Sequence, residues 1–239
     1  MKPVTSYSTP PVTRPDGIVA TIGMVIRSAG SLAAVIGAFL CLTVTPADAA
    51  RAGSYCGNLK NAYGPFDYRK RAELREETYL VEMAHFTPDV ENLVAGNAGY
   101  LGGDIDYTLR AFPNHHRALA SVAKLALRDK LPKDPHMHYS YTCYFERAMR
   151  YQPDDDAVYT IYGTYLFKKG DTTGAEQELK RALSINPDNA AANYNLGLLY
   201  ANQSKFDQAR NFAKKAYGQN YPVQGLKNKL VAAGKWDGR

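Results

Sequence analysis

Five histidines, three cysteines and a run of three aspartates are the side chains here that could carry chemistry. His85, the pair His115 and His116, and the pair His136 and His138 are of the type that ligates metals or moves protons near neutral pH. Their spacing speaks against one shared site. A helix from His115 to near Asp129, about 14 residues at 1.5 Å each, puts His136 and His138 roughly 20 Å from its start. Side chains adjacent on a helix also diverge by about 100°, so His115 and His116 do not chelate together. The histidines therefore read as exposed or capping residues, with His136 and His138 as a weak adventitious metal pair, and no metal or cofactor is expected. Asp154, Asp155 and Asp156 read as a cap on a helix starting near Ala157, where carboxylates meet the positive helix end; a cation site is the alternative. The glycine-rich stretch 99–103 lacks the Lys-Ser/Thr of a phosphate loop and reads as a turn between helices. No G-x-S-x-G, H-E-x-x-H, C-x-x-C or C-x-x-C-H is present, so no catalytic residue is expected and the chain reads as a non-enzyme.

The composition bounds the elements that carry these residues. The chain has 239 residues, 45% apolar and 22% charged, with 19 Gly, 13 Pro and 3 Cys. Collagen-like, disulfide-dense and low-complexity classes are excluded. A mean hydropathy of -0.38 excludes a polytopic membrane protein. The net charge of +6 is spread along the chain and is only a weak pointer to nucleic acid or anionic lipid; no nucleic-acid partner is expected.

Residues 31–45 are uncharged and mostly apolar, a run of about 15 where a membrane span needs roughly 20. Arg27 precedes the run and Ala47-x-Ala49 follows it. Basic flank, short apolar core and small-residue exit read as a secretory signal peptide cut before Ala50, with an uncleaved anchor as the alternative. Residues 1–23 are polar and Pro-rich, and Met24 makes a better start than Met1. Cys41 follows Leu40 rather than a small residue, so it reads as part of the signal core rather than a lipid-attachment site. The expected product is exported, periplasmic or extracellular, with no stable membrane span after cleavage. Cys56 and Cys143 remain in it. Export makes their pairing plausible. It would close a loop of 143 − 56 = 87 residues, worth about 4 kcal/mol if unstrained; two thiols that never meet is the other reading.

An offset of 34 residues aligns the C-terminal half with itself. Phe145, Leu179 and Ala213 coincide, as do Ala148, Ala182 and Ala216, Gly163 and Gly197, Ala175 and Ala209, and Pro153 and Pro187. Tyr221-Pro222 falls one residue late. The pattern resembles the tetratricopeptide repeat (TPR), a helix-turn-helix unit with this period. Tyr159, Tyr162-Gly163 and Leu166 mark the first helix of one copy, and Asn193, Leu196-Gly197 and Tyr200 that of the next. Ala175, Leu179, Ala182 and Pro187 fit the second helix. Small residues let paired helices approach, bulky ones such as Leu183, Leu199 and Phe206 fill the space between hairpins, Gly170-Asp171 breaks one pair, and Asn186-Pro187-Asp188 stops one helix and caps the next. The resemblance implies an all-α fold: a short right-handed superhelix of three to four hairpins plus a capping helix, with an irregular N-terminal arm.

Along the chain this gives a leader over 1–49, an irregular Tyr/Gly/Pro-rich arm over 50–86, and a TPR-like hairpin over 87–114. A degenerate hairpin with a long turn follows over 115–155, with Asn114 as its cap. Repeats occupy 156–189 and 190–221, and a capping helix and tail 222–239. Within the arm, 69–79 reads as an exposed helix and 81–86 as extended. In the next hairpin, helices are expected over 88–97 and 103–111.

In such repeats the first helices line the concave face. Carrying that register over predicts a partner groove of Thr160, Thr164, Phe167 and Lys168 from one copy and Tyr194, Leu198 and Asn202 from the next. Asn195 falls where some TPRs grip a terminal carboxylate, without the matching Lys and Arg set. The resemblance implies a scaffold or adaptor that binds a partner polypeptide in a bacterial envelope assembly. The alternatives are a subunit that self-assembles head to tail, and an enzyme or metal carrier built on the arm and the histidines.

Overall fold

A computed structural model describes residues 56–237. The leader, with Arg27, Cys41 and the Ala47-x-Ala49 exit, lies outside the described residues. The described part is a helical solenoid of ten helices. They are α1 (Arg75–His85), α2 (Pro88–Glu91), α3 (Leu101–Ala111), α4 (His116–Asp129), α5 (Tyr141–Tyr151), α6 (Asp156–Lys169), α7 (Thr172–Ile185), α8 (Ala190–Asn202), α9 (Phe206–Gly218) and α10 (Gly225–Ala232). Antiparallel partners α4/α5, α6/α7 and α8/α9 follow one another, α4 packs on α6 and α7 on α8, and α10 packs on α8 and α9. Among the described residues no helix is long and apolar enough to cross a membrane.

The two C-terminal hairpins are built alike because the same small residues stand at the same places. A Cβ added at Gly163 would lie 2.8 Å from Leu179 Cγ and 3.2 Å from the Ala175 carbonyl. A Cβ added at Gly197 would lie 2.6 Å from Leu226 Cδ2 and again 3.2 Å from the carbonyl of Ala209, the residue equivalent to Ala175. Ala175, Ala182, Ala209, Ala213 and Ala216 are fully buried, so close backbone approach replaces side-chain volume at these joints. Gly170 closes α6 in the left-handed conformation (φ +94°), which a Cβ would disfavour. Asp171 then accepts from the Gly174 amide to start α7. The cap of α8 is Asn189, one residue beyond the expected triplet; its Oδ1 accepts from the Ala192 amide.

The N-terminal half departs from the sequence reading. Residues 81–86 are not extended: α1 runs through His85, beginning at Arg75 rather than 69. A short apolar run does not distinguish strand from helix. Helical spacing brings Val81 inward against Tyr68, Ala111 and Phe112, and Glu76 and Glu77 stabilise the positive start of the helix. The partner of α3 is therefore α1, inside the supposed arm. The expected helix 88–97 stops at Glu91, and Leu93 takes a left-handed φ of 61°. Gly102 and Gly103 belong to α3 rather than to a turn. Asn114 is not the cap of α4. His115 is: its Nδ1 accepts from the Ala118 amide at 3.1 Å.

Candidate functional site

The first helices α4, α6 and α8 border one cavity. It measures about 270 Å³ and is lined by Ala120, Ala123, Lys124 and Leu127 of α4, Thr160, Ile161, Thr164, Tyr165 and Lys168 of α6, and Ala191, Asn195 and Tyr221. Lining positions three or four apart on each helix turn one stripe to the cavity. A second cavity, about 830 Å³, adjoins it through Leu127, Tyr165 and Lys168. Its outer wall is the long turn between α4 and α5 with Lys130, Leu131 and Pro132, and its end is the start of α5 at Ser140, Tyr141 and Thr142. Burial, with the nearby Asp129 and Asp134 carboxylates, pushes the Tyr141 hydroxyl up to about 12, so it stays a neutral phenol at physiological pH.

Of the expected groove residues, Thr160, Thr164, Lys168 and Asn195 come together on this surface. The others lie elsewhere. Tyr194 is buried, its ring centroid 4.8 Å from that of Tyr221, and its hydroxyl would meet a Cβ on Gly225 at 2.7 Å. Phe167 and Leu198 are half-buried against the core, and Asn202 is exposed at the end of α8. The misplacement of Tyr194 has a physical reason. The face of α6 holding Thr160 turns toward the next repeat, where Asn189 Nδ2 donates to Thr160 Oγ1 at 3.1 Å. The same face of α8 turns toward α10, which covers it.

Sequence reasoning missed a second feature, a buried polar junction that ties the arm to the solenoid. Asn114 is fully buried. It accepts from the Tyr68 amide at 2.9 Å and donates to Asp67 at 2.7 Å and to Asp155 at 2.8 Å. The aspartates stand at the start of α6 as expected, but the Asp155 carboxylate serves this junction instead of the helix end. Asp155 stands at the cap position of α6 without a capping hydrogen bond, and its carboxylate faces His116 Nε2 at 2.9 Å. Asp156, in the first turn, accepts instead from Asn186 and Asn189. Burial raises the Asp67 carboxyl, but hydrogen bonds from Arg69 and Asn114 outweigh it and hold the group below the usual carboxylate range.

All five histidines face a carboxylate: His85 Asp104, His115 Glu82, His116 Asp155, His136 Asp134 and His138 Asp106. His115 is fully buried, not exposed. Its Nδ1 already accepts from Ala118, so its Nε2–H donates to Glu82 at 3.1 Å. That satisfies a neutral ring completely, and burial holds its pKa below the ordinary value against the pull of Glu82. Among the described residues no group of three or more His, Cys, Asp or Glu is placed to hold a metal. The arrangement fits pairwise structural bonds.

Cys56 and Cys143 form a disulfide with Cα atoms 5.2 Å apart. Beside it the buried Arg147 donates to the carbonyls of Cys56 (3.0 Å) and Asn58 (2.8 Å) and lies over the Tyr139 ring. The arm is thus fixed along α5 by one covalent bond and a set of hydrogen bonds.

The comparisons with known proteins agree with this geometry. A family model described as TPR repeat matches residues 163–204, and one described as tetratricopeptide repeat matches 190–220. Residues 163–220 carry tetratricopeptide repeats. TPR units generally mediate protein–protein interaction and are typically non-catalytic scaffolds. No curated protein matches the chain.

Proposed function

We propose that this TPR protein is a non-enzymatic adaptor of the bacterial cell envelope that holds a segment of a partner polypeptide in the surface of α4, α6 and α8. The observation that carries the reading is the cavity lined by Thr160, Thr164, Lys168 and Asn195 together with the apolar Ala123, Leu127 and Ile161, the mixture of apolar and polar groups that binding surfaces present. Export is supported by the leader pattern and by the Cys56–Cys143 bond, since structural disulfides persist in oxidising compartments. A photo-crosslinking amino acid at Thr164 of the full chain, expressed in its native host, should capture one discrete partner. The same group at the exposed Gln177 on α7 should not. Equal labelling from both positions contradicts the reading.

Head-to-tail self-assembly is the second reading, and one observation favours it. Large exposed apolar side chains gather near the N-terminal hairpin (Tyr79, Leu80, Met83, Val94 and Tyr100) and near the capping helix (Val223 and Val231). Light scattering of the full chain over a range of concentrations separates the readings: an adaptor keeps a constant mass, whereas a filament subunit grows.

A further inference from the structure

The two cavities share Leu127, Tyr165 and Lys168 in their linings. Lys124 and Lys168 border the smaller one, and Lys130, Lys168 and Lys169 the larger. Neither lining contains an aspartate or glutamate; the two carboxylates near Tyr141 at the end of the larger cavity, Asp129 and Asp134, face Arg128 and His136. Among the described residues the lysine ion pairs are Lys180–Glu176 and Lys214–Asp237, so none of these four ammonium groups sits within ion-pair distance of a carboxylate, although Lys124 acts on Glu91 from farther off. Between the lysines lie Leu127, Leu131, Tyr141 and Tyr165. Leu131 is 54% exposed, a large apolar side chain on the outer wall of the groove and away from the two ends of the solenoid. The wall bearing Lys130 and Leu131 comes from the lengthened turn between α4 and α5 and has no counterpart in the short turns after α6 and α8.

We infer, resting on the groove reading above, that the occupant is an extended acidic segment of a partner protein whose carboxylates meet these lysines and whose apolar side chain enters the compartment between Leu127, Leu131 and Tyr165. Charge complementarity selects this occupant over the chain's own ends. Residues 1–49 carry Lys2, Arg14 and Arg27 against Asp16 and Asp48, and the tail carries Lys235 and Arg239 against Asp237; neither is acidic. A second copy, at +6, is also disfavoured by like charge.

The test is fluorescence anisotropy on the full chain with three short labelled peptides. Each has a central Phe-Leu pair, flanked by Glu and Asp, by Ser and Gly, or by Lys. The acidic peptide should bind best and weaken as salt is raised. Lys130→Glu with Lys168→Glu should weaken it by about tenfold or more, because charge reversal at a contact acts locally. Lys60→Glu with Lys229→Glu makes the same change in net charge at exposed sites away from the groove and should leave affinity within about twofold. Thermal unfolding of each variant confirms that it folds. Equal binding of the neutral or basic peptide overturns the inference, as does equal loss in both double variants. Failure of all three peptides while Thr164 still cross-links a partner overturns the charge assignment and leaves the groove reading standing. Failure of both assays removes both.

Discussion

The joints between helices differ in kind along the solenoid. At α6/α7 and α8/α9 the contact depends on the absence of a side chain: glycine faces an alanine carbonyl in both, at the same 3.2 Å from a notional Cβ. At the N-terminal half it depends on specific pairs. Asn114 holds Asp67, Asp155 and the Tyr68 amide at once. Asp106, nearly fully buried, takes His138, Arg110 and the Tyr144 hydroxyl. A small-residue joint needs only size, so it can be copied from one repeat to the next. A buried polar joint must satisfy every donor and acceptor, because each one left unpaired costs about 1–3 kcal/mol. It therefore belongs to one place and fixes one register, which is what an arm bound along a solenoid requires.

The contrast can be broken first at the disulfide. Cys143→Ser should cost about 4 kcal/mol on the loop-entropy account. Native-state hydrogen exchange should rise most in the arm and in α1 to α5, with α7 to α9 least affected. A uniform rise would mean that the two halves are not built differently. The C-terminal counterpart is Leu179→Ala. Leu179 is fully buried where α6 meets α7, and its loss should cost about 3 kcal/mol in urea unfolding, while the Cys56–Cys143 bond and the arm's exchange pattern persist. Faster exchange in the arm would join the halves into one cooperative unit.

The smallest effect is in pH. His115 is neutral in the fold, its pKa held below the ordinary 6.5 by burial. The unfolded chain then binds the proton more readily, so stability contributed by the neutral ring is full above about 6.5 and is lost as pH falls from there toward the depressed folded value. The unfolding temperature should drop over that window, and His115→Gln should flatten this part of the drop. An unchanged profile in the variant would assign the loss to other groups.

The same contrast explains what the sequence could reveal. The period of 34, the paired glycines and alanines and the closing Gly170 are size and backbone signals, and they place α6 to α9 without knowledge of the rest. The N-terminal pairing depends on partners far away in sequence: Arg147 reaches Cys56 across 91 residues. Asn114 and His115 are both residue types able to cap α4, and the one that caps is decided by Tyr68, whose amide already occupies Asn114. Tyr194 shows the limit within the repeats. Translating Thr160 by one period gives the right position on α8, but the element packed against that face is α10 rather than another repeat, so the side chain is covered. The turn bearing Lys130 and Leu131 was visible as a lengthened loop; that it walls a cavity depends on Tyr165 and Lys168 opposite it.

The most direct measurement of the central claim is hydrogen exchange of the full chain with and without the cross-linked partner or the acidic peptide. A segment held in the groove predicts new protection confined to α4, α6, α8 and the turn from Lys130 to Ser140. Protection instead on α1 and α10, with α6 unchanged, would contradict the groove and assign binding to the ends of the solenoid.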